Sequence, residues 1–504
     1  MKKSDLFLSF LLGISAFASR IFLIEKVQSH WDGPQYSIGV VRYSFGQFTP
    51  APPGYPLYIA MGKFFYIFVK DPHLAILLVS VFATITGSVL LYLIGKNLYN
   101  RYVGLTSSII FLTGSTFYYF GLTPYAYVTI PITTTLLAFI VYQIYMRHKQ
   151  MGFWLGLTFG ISFGIRPQEI IFTFPILGLG FIYLSNKEKI KSLVVFLVIS
   201  LAWLIPLLSV IGPVNFFIQS LEFLKTAAYQ ASLSQRLELI MKGFLLSFGL
   251  SSILLLYYVW ILFNNYQNII KKNIKIIIFY FLWLTPGLLY NIFLRVDHAG
   301  YQMSYLAAFL LLISYSLWKI TEKNKKLYFV IILLIALFNL YWFFYNRDPQ
   351  FIKSYRPTSF HYSDIRKNDL KTGSKINFIM SKFDPNKTLV ITNSVLWRPY
   401  GYYLKKYLVI SLDGLADNNP GSLYLERNQK DWDMKQFQNK SLTLTIPKDI
   451  DSIIMPDDEN YAWIRNYPYK IFNLPGNSKI TLISVNPGDK IVYKFHYFTI
   501  FKTN

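Results

Sequence analysis

Three short polar stretches interrupt long apolar runs in this chain, and each carries ionisable side chains. Asp32 lies with His30 in Ser29-His-Trp-Asp-Gly-Pro-Gln-Tyr36. Arg166, Gln168 and Glu169 share the break Gly164-Ile-Arg-Pro-Gln-Glu169. Arg295, Asp297, His298, Tyr301 and Gln302 share Arg295-Val-Asp-His-Ala-Gly-Tyr-Gln302. A carboxylate so placed can accept a proton, and a guanidinium can hold an anion through its planar fork of donors. A charge within a membrane span costs roughly 2.5–3.5 kcal/mol on insertion scales, so those that persist are candidates for function. Structural readings compete with this one. Arg166–Glu169 and Arg295–Asp297 can be ion pairs at helix ends, and an Asp before Gly-Pro commonly satisfies nearby backbone N–H groups in a turn.

The elements that would position these residues are membrane helices. Hydrophobic residues make up 53% of the 504 and charged residues only 15%, against about 25% charged in an average soluble protein. The apolar residues fall in blocks long enough to cross a ~30 Å hydrocarbon layer. The first, residues 6–24, follows Lys2-Lys3 but lacks a small-residue cleavage site after it, so it reads as a retained helix rather than a signal peptide. Further blocks lie near 74–95, 102–121, 124–145, 151–165, 169–184, 192–211, 243–263, 274–293, 301–318 and 327–345, which makes about eleven spans. The run leading from Ala51-Pro-Pro-Gly-Tyr-Pro56 to Val69 is short for a span and reads as an interfacial helix.

Charge placement orients the spans. The alternate loops at 2–3, 96–101, 147–149, 187–191, 271–275 and 319–326 hold 16 of the 26 Lys and Arg residues that precede residue 346. Basic residues packed into short alternate loops mark the cytoplasmic side. The N-terminus is therefore expected in the cytoplasm. Residues 25–73, the loop 212–242 and the tail after 345 are then expected outside the plasma (cytoplasmic) membrane. The tail mixes polar residues with β-prone runs at 388–392, 407–411 and 479–484, as a small folded α/β domain does. Two domains follow: a membrane domain over 1–345, with a first extracytoplasmic loop at 25–73, and an extracytoplasmic α/β domain over 346–504.

Composition also excludes several functions. With no cysteine in the chain, disulfides, thiol nucleophiles and cysteine-based metal sites are ruled out. No Gly-x-Ser-x-Gly elbow and no phosphate-cradling glycine-rich loop is present. The net charge of +24 sits mostly among the spans, where loop topology accounts for it, so no nucleic-acid partner is expected. Of the other outward carboxylates, Asp71 precedes Pro72 as a helix-capping residue does. Glu25, Glu222 and Glu238 read as solvated helix ends or faces.

Taken in order, these residues resemble the GT-C superfamily of polyprenyl-phosphate-sugar glycosyltransferases, in the branch of protein O-mannosyltransferases and of lipid A aminoarabinose and core-sugar transferases. The matching features are Asp32 after the first span, the Pro-Pro-Gly-Tyr-Pro turn at 52–56 with Tyr55, and Gly164-x-Arg166-Pro167. They continue with His298-x-Gly300-Tyr301 before a late span, and with Trp397-Arg-Pro-Tyr-Gly-Tyr-Tyr403 in an extracytoplasmic tail. Two features depart from the pattern. Asp32 is followed by Gly33 where protein O-mannosyltransferases usually have Glu, and Ala51 stands where many relatives have His.

The resemblance implies a fold and a chemistry. The fold is an all-α polytopic membrane protein, GT-C-like with about eleven transmembrane helices, carrying a small C-terminal α/β domain. The activity is transfer of a sugar from a polyprenyl phosphate to an acceptor hydroxyl, with inversion at the anomeric carbon and Asp32 as general base. Arg166, Arg295, His298, Tyr301 and Gln302 would hold the donor phosphate. His30, Tyr55, Gln168, Glu169 and Asp297 would line the substrate pocket. Partners would be a lipid-linked sugar donor, a glycan, lipid or protein acceptor, and membrane lipids. No cofactor is certain; a divalent metal stays open. A transporter or flippase of lipid-linked glycans is the alternative, and it would place its charges near mid-span and repeat its helices in inverted order.

Overall fold

The structure is a computed structural model describing residues 3–501 apart from 30–31, 45–48, 52, 227–231, 265, 295–298, 346–360, 393–396, 414–421, 428–433, 440, 457–467, 487 and 495–496. It forms two compact units. One contains residues 1–24, 39–46 and 50–364, the other residues 25–38, 47–49 and 365–504. This differs from a division at 345 that keeps all of the first loop with the membrane part. Backbone hydrogen bonds explain the difference. Lys26 and Val27 N–H both donate to Asp369 Oδ1, at 2.8 and 2.9 Å. Gln28 N–H donates to Tyr403 Oη at 2.9 Å.

The first unit is helical. Its elements are α1 (Lys3–Ile21), the end of α2 (Asp32–Val41), α3 (Pro56–Val69), α4 (Pro72–Leu98), α5 (Arg101–Thr113), α6 (Ser115–Leu122), α7 (Ile130–Arg147) and α8 (Gly152–Ile165). There follow α9 (Ile170–Ile182), α10 (Asn186–Ile211), α11 (Pro213–Thr226), α12 (Leu233–Phe248), α13 (Ile253–Asn264), α14 (Tyr266–Phe293), α15 (Met303–Thr321) and α16 (Lys325–Tyr345). Asp71 caps α4, accepting from His73 and Leu74 N–H, with Pro72 in the first turn where its missing N–H costs nothing.

Among the described residues, eight helices are long and apolar enough to cross a membrane, against the eleven spans expected. Three expected spans come out short or broken. The run 102–121 divides into α5 and α6 at Gly114, where an added Cβ would lie 2.1 Å from the Ser247 carbonyl oxygen. Only glycine permits that backbone approach. The runs 151–165 and 169–184 form α8 and α9, of 14 and 13 residues. At 1.5 Å per residue each spans roughly 20 Å. Residues 212–242, expected as a loop, are mostly α11 and α12.

Packing inside this unit follows membrane rules. Helices α7 and α15 are central and mostly buried, whereas α10 turns Leu193, Val194, Leu197, Val198, Leu201 and Ile205 outward. Along α8, Gly152, Gly156 and Gly160 recur every four residues. Cβ atoms there would meet Glu188 O at 2.1 Å, Ser192 O at 2.2 Å and Ile199 Cγ2 at 2.9 Å. Small residues at this spacing let two helices touch backbone to backbone, which is how helices associate without a hydrophobic driving force. Arg20, fully buried in α1, pairs with no carboxylate among the described residues. It donates to Leu112 O at 2.7 Å and lies 3.6 Å over the Tyr118 ring. At the other end of α1, Asp5 accepts from Tyr92 Oη at 2.8 Å and pairs with Lys96.

The second unit is α/β. It comprises α17 (Tyr362–Lys382), β1 (Thr388–Thr392), α18 (Trp397–Tyr403), β2 (Leu408–Asp413), β3 (Ser422–Arg427), β4 (Met434–Asn439), β5 (Ser441–Thr445), β6 (Ser452–Met455), β7 (Tyr469–Leu474), β8 (Ser478–Ser484), β9 (Lys490–Lys494) and β10 (Tyr497–Phe501). The main sheet runs β4-β3-β2-β1-β6-β8-β7, and β5, β9 and β10 form a second. Strand β1 is parallel to both of its neighbours, with Leu389 opposite Leu408 and Ile453. Parallel strands covered on both faces read as unbroken apolar runs, and Thr388-Leu-Val-Ile-Thr392 is buried throughout. Ile376 and Ile379 of α17 and Tyr400 and Leu404 beside β2 complete the core.

Candidate functional site

The break between α8 and α9 buries two opposite charges. Pro167 disfavours helical backbone at the residue before it, and Arg166 adopts φ −147, ψ 95, ending α8. One 3-10 turn, Pro167–Glu169, then leads into α9. Gly164 fits because a Cβ there would crowd Leu57 of α3 at 2.6 Å and Trp203 of α10 at 2.7 Å. The turn folds Glu169 back on Arg166, with Nη1 3.2 Å from Oε1. Both side chains are buried, at 5% and 1% exposure.

That bond is the one hydrogen bond of the Arg166 guanidinium among the described residues. Its planar group lies 4.5 Å from the Tyr127 ring centroid and 5.7 Å from that of Tyr301. The two rings are 5.5 Å apart. Glu169 Oε2 is buried and has no hydrogen-bond partner among the described residues. Gln168 donates to Tyr55 Oη at 3.1 Å. Tyr55 sits in the left-handed region at φ 47, ψ 49, a conformation that costs a non-glycine residue about 1–2 kcal/mol. Gly54, at φ 98, tightens the same turn, and its carbonyl accepts from Tyr43 Oη at 2.7 Å.

Gln302 is fully buried and donates to Leu239 O at 2.9 Å, on the face of α12 that also carries Gly243. Lys242 beside it is buried too; the sequence reading placed it at the end of a solvated loop. Arg295, Asp297, His298 and His30 lie outside the described residues, and with them the expected Arg295–Asp297 pair. Within the described residues the structure thus gathers Arg166, Glu169, Tyr127 and Tyr301, with Gln168 on Tyr55. Tyr127 carried no sequence signal, since it sits in an apolar run.

Asp32 belongs to the C-terminal unit. The expected Gly-Pro turn is instead the first turn of α2. Proline's fixed φ suits a helix start and its missing N–H is not needed there. Asp32 Oδ1 accepts from Gln35 Nε2 at 2.6 Å. In the same unit, burial pushes the Arg398 guanidinium down to about 9, and the Asp32 carboxylate is the charge that opposes the shift most, followed by Tyr36. Arg398 was visible only as part of an aromatic motif. Glu25, expected solvated, is buried at 4% exposure. No three His, Asp or Glu side chains among the described residues come together as metal ligands.

Residues 51–212 match the family described as dolichyl-phosphate-mannose-protein mannosyltransferase. That segment includes Tyr55, Arg166 and Glu169 and begins after Asp32. None of the curated proteins matches the chain in sequence. Among solved structures, ArnT from Cupriavidus metallidurans bound to undecaprenyl phosphate is similar, with 9% identity and a TM-score of 0.58 over 95% of this chain and 97% of that one. ArnT in the apo state gives 11% identity and a TM-score of 0.54 over the same shares. The chain thus shares the fold of the ArnT structures, carries over residues 51–212 a segment similar to dolichyl-phosphate-mannose-protein mannosyltransferases, and has among its described residues eight helices long and apolar enough to cross a membrane.

Proposed function

We propose that the chain moves a sugar from a polyprenyl phosphate to an acceptor hydroxyl on the extracytoplasmic face of the plasma membrane, with inversion. Arg166 carries this reading. It is a buried guanidinium that uses one of its five donors on Glu169, and it follows directly on Ile165, which lines an apolar groove of about 380 Å³. Met61, Phe82, Leu136, Trp154, Leu157 and Ile161 line it as well. An isoprenoid chain suits such a groove, and a phosphate suits a guanidinium's fork of donors. The similar ArnT structure holds undecaprenyl phosphate, a ligand of this chemistry.

In the proposed reaction the bond from the anomeric carbon to the phosphate oxygen breaks as the acceptor oxygen attacks from the opposite face. The acceptor proton passes to Asp32. The leaving polyprenyl phosphate gains negative charge, which Arg166, with Arg295, His298, Tyr301 and Gln302, stabilises. Tyr55, Gln168, Glu169, Asp297 and His30 shape the pocket. The N-terminus lies in the cytoplasm and the C-terminal unit outside. Incubating the purified protein with a panel of polyprenyl-phosphate sugars and following released lipid phosphate tests the reading. Release that depends on Arg166 and Asp32 supports it; no release from any donor, with the protein folded, overturns it.

A further inference from the structure

Helix α11 joins two helices of membrane length, and its neighbours fix the level at which it lies. The membrane-length helix Asn186–Ile211 ends just before it, and the next, Leu233–Trp260, begins shortly after it. Gly212, at φ 81, turns the chain out of α10, and Asn215 Nδ2 donates back to Ile211 O at 3.2 Å. At the start of α12, Arg236 Nη1 donates to the carbonyls of Ile292 and Phe293 at 3.0 and 2.7 Å. Those two residues end the membrane-length helix Ile274–Phe293. Consecutive spans cross in opposite directions, so the end of α10 and the start of α12 lie on one side of the bilayer. Helix α11 has 14 residues. At roughly 21 Å it is too short to cross a hydrocarbon layer of about 30 Å, and it stays on that side.

The side chains of α11 sort by face. Val214, Phe217, Ile218 and Leu221 stand at i, i+3, i+4 and i+7, the spacing of a single apolar stripe. All four are exposed, from 49% at Ile218 to 69% at Val214. Asn215 is exposed as well, while Phe216 and Ser220 are half-buried. An isolated helix of this length is marginal in water, so the stripe needs a cover. It continues the apolar surface of α10, where Leu201, Ile205 and Val210 are exposed. A membrane-crossing α10 turns that surface to lipid. The cover that continues onto α11 is then the same bilayer, met at its boundary rather than in its core.

We propose that α11 is an interfacial helix. Its axis lies along the membrane plane, and the stripe of Val214, Phe217, Ile218 and Leu221 is seated in the boundary between headgroups and acyl chains of the leaflet where α10 ends. Helices that bind bilayers in this way sink their apolar face about 5–10 Å. The partner is the lipid surface itself, held by apolar burial. The seating is the same whichever side of the membrane is external and whatever reaction the chain performs.

The test uses the full-length protein in phosphatidylcholine vesicles. With no native cysteine, a nitroxide is placed singly at Val214→Cys, Asn215→Cys, Phe217→Cys, Ile218→Cys and Leu221→Cys. Leu197→Cys on the exposed side of α10 is the reference within the bilayer. Collisions with oxygen report depth in lipid, and collisions with a water-soluble nickel chelate report contact with water. The four stripe positions favour oxygen over nickel severalfold more than Asn215→Cys does, and they share one depth, shallower than Leu197→Cys. Phe217 meets the ring of Phe216 edge-on at 5.5 Å; if Phe217→Cys loosens the helix, Val214→Cys and Leu221→Cys carry the reading. Nickel access along the stripe equal to that at Asn215→Cys marks a solvated helix and overturns the proposal. A steady increase in depth from 214 to 221, about 10 Å over the seven steps, marks a helix that dips into the core and also overturns it. Dipolar broadening at the stripe that disappears on dilution with unlabelled protein puts a second copy there instead of lipid, and overturns it too.

Discussion

Arg166 and Glu169 are joined across one 3-10 turn, 3.2 Å apart and both buried, at the break between α8 and α9. The guanidinium carbon lies over the rings of Tyr127 and Tyr301. A helix-end ion pair and an anion site differ in what the rest of that fork is for. Replacing Arg166 by Ala separates them. Losing a charge-assisted hydrogen bond costs about 1.5–3 kcal/mol, so donor affinity should fall roughly tenfold or more while acceptor affinity holds. Steady-state kinetics with each substrate varied in turn gives the answer. Unchanged donor affinity would return Arg166 to a structural pairing with Glu169.

Asp32→Asn isolates proton acceptance from structure. Asparagine keeps an oxygen to accept from Gln35, which in the native chain lies 2.6 Å away, but it cannot take a proton at neutral pH. Folding and donor binding should persist while kcat drops by about a hundredfold, as expected when general-base catalysis is lost. A folded Asp32→Asn enzyme with near-normal turnover transfers the candidacy to Glu169 and then Asp297.

The proposed orientation is open to direct labelling, because a chain with no cysteine accepts single-cysteine probes without further engineering. Cysteines at Asn100, Lys149 and Lys325 should be protected from impermeant thiol reagents in intact cells. A cysteine at Ser374 in α17 should react. The reverse pattern inverts the topology and removes the ground for placing the chemistry outside.

Helix packing offers a test independent of activity. A Cβ at Gly156 would sit 2.2 Å from Ser192 O, so Gly156→Val must push α8 away from α10. Overpacking of this kind typically costs about 1–3 kcal/mol and should lower the thermal unfolding temperature in detergent. Gly178 in α9 has nothing within 4 Å of its Cβ position. Gly178→Ala should leave that temperature unchanged or slightly raised. Equal effects from both substitutions would contradict the close contact.

Patterns that run along the chain were legible before folding. Apolar block length marks membrane helices because hydrocarbon thickness sets it, and eight such helices appear among the described residues. The runs at 388–392, 407–411 and 479–484 fall on β1, β2 and β8, because β-branched and apolar residues suit a pleated, half-buried surface. The polar breaks at Asp32 and Arg166 stood out because charge in apolar surroundings is costly. What pairs across the chain was not legible. Tyr127 looks like any aromatic of a membrane helix, and only the packing of α7 and α15 brings it and Tyr301 to Arg166. The split of one expected span at Gly114 depends on the carbonyl of Ser247, 133 residues away. Asp32 follows the first membrane helix in sequence yet joins the C-terminal unit. The backbone of residues 26–28 decides that through hydrogen bonds to side chains more than 340 residues distant. Local composition determines which elements form. Their partners are chosen by shape and by the need to satisfy each buried polar group, and that is settled only when the whole chain has folded.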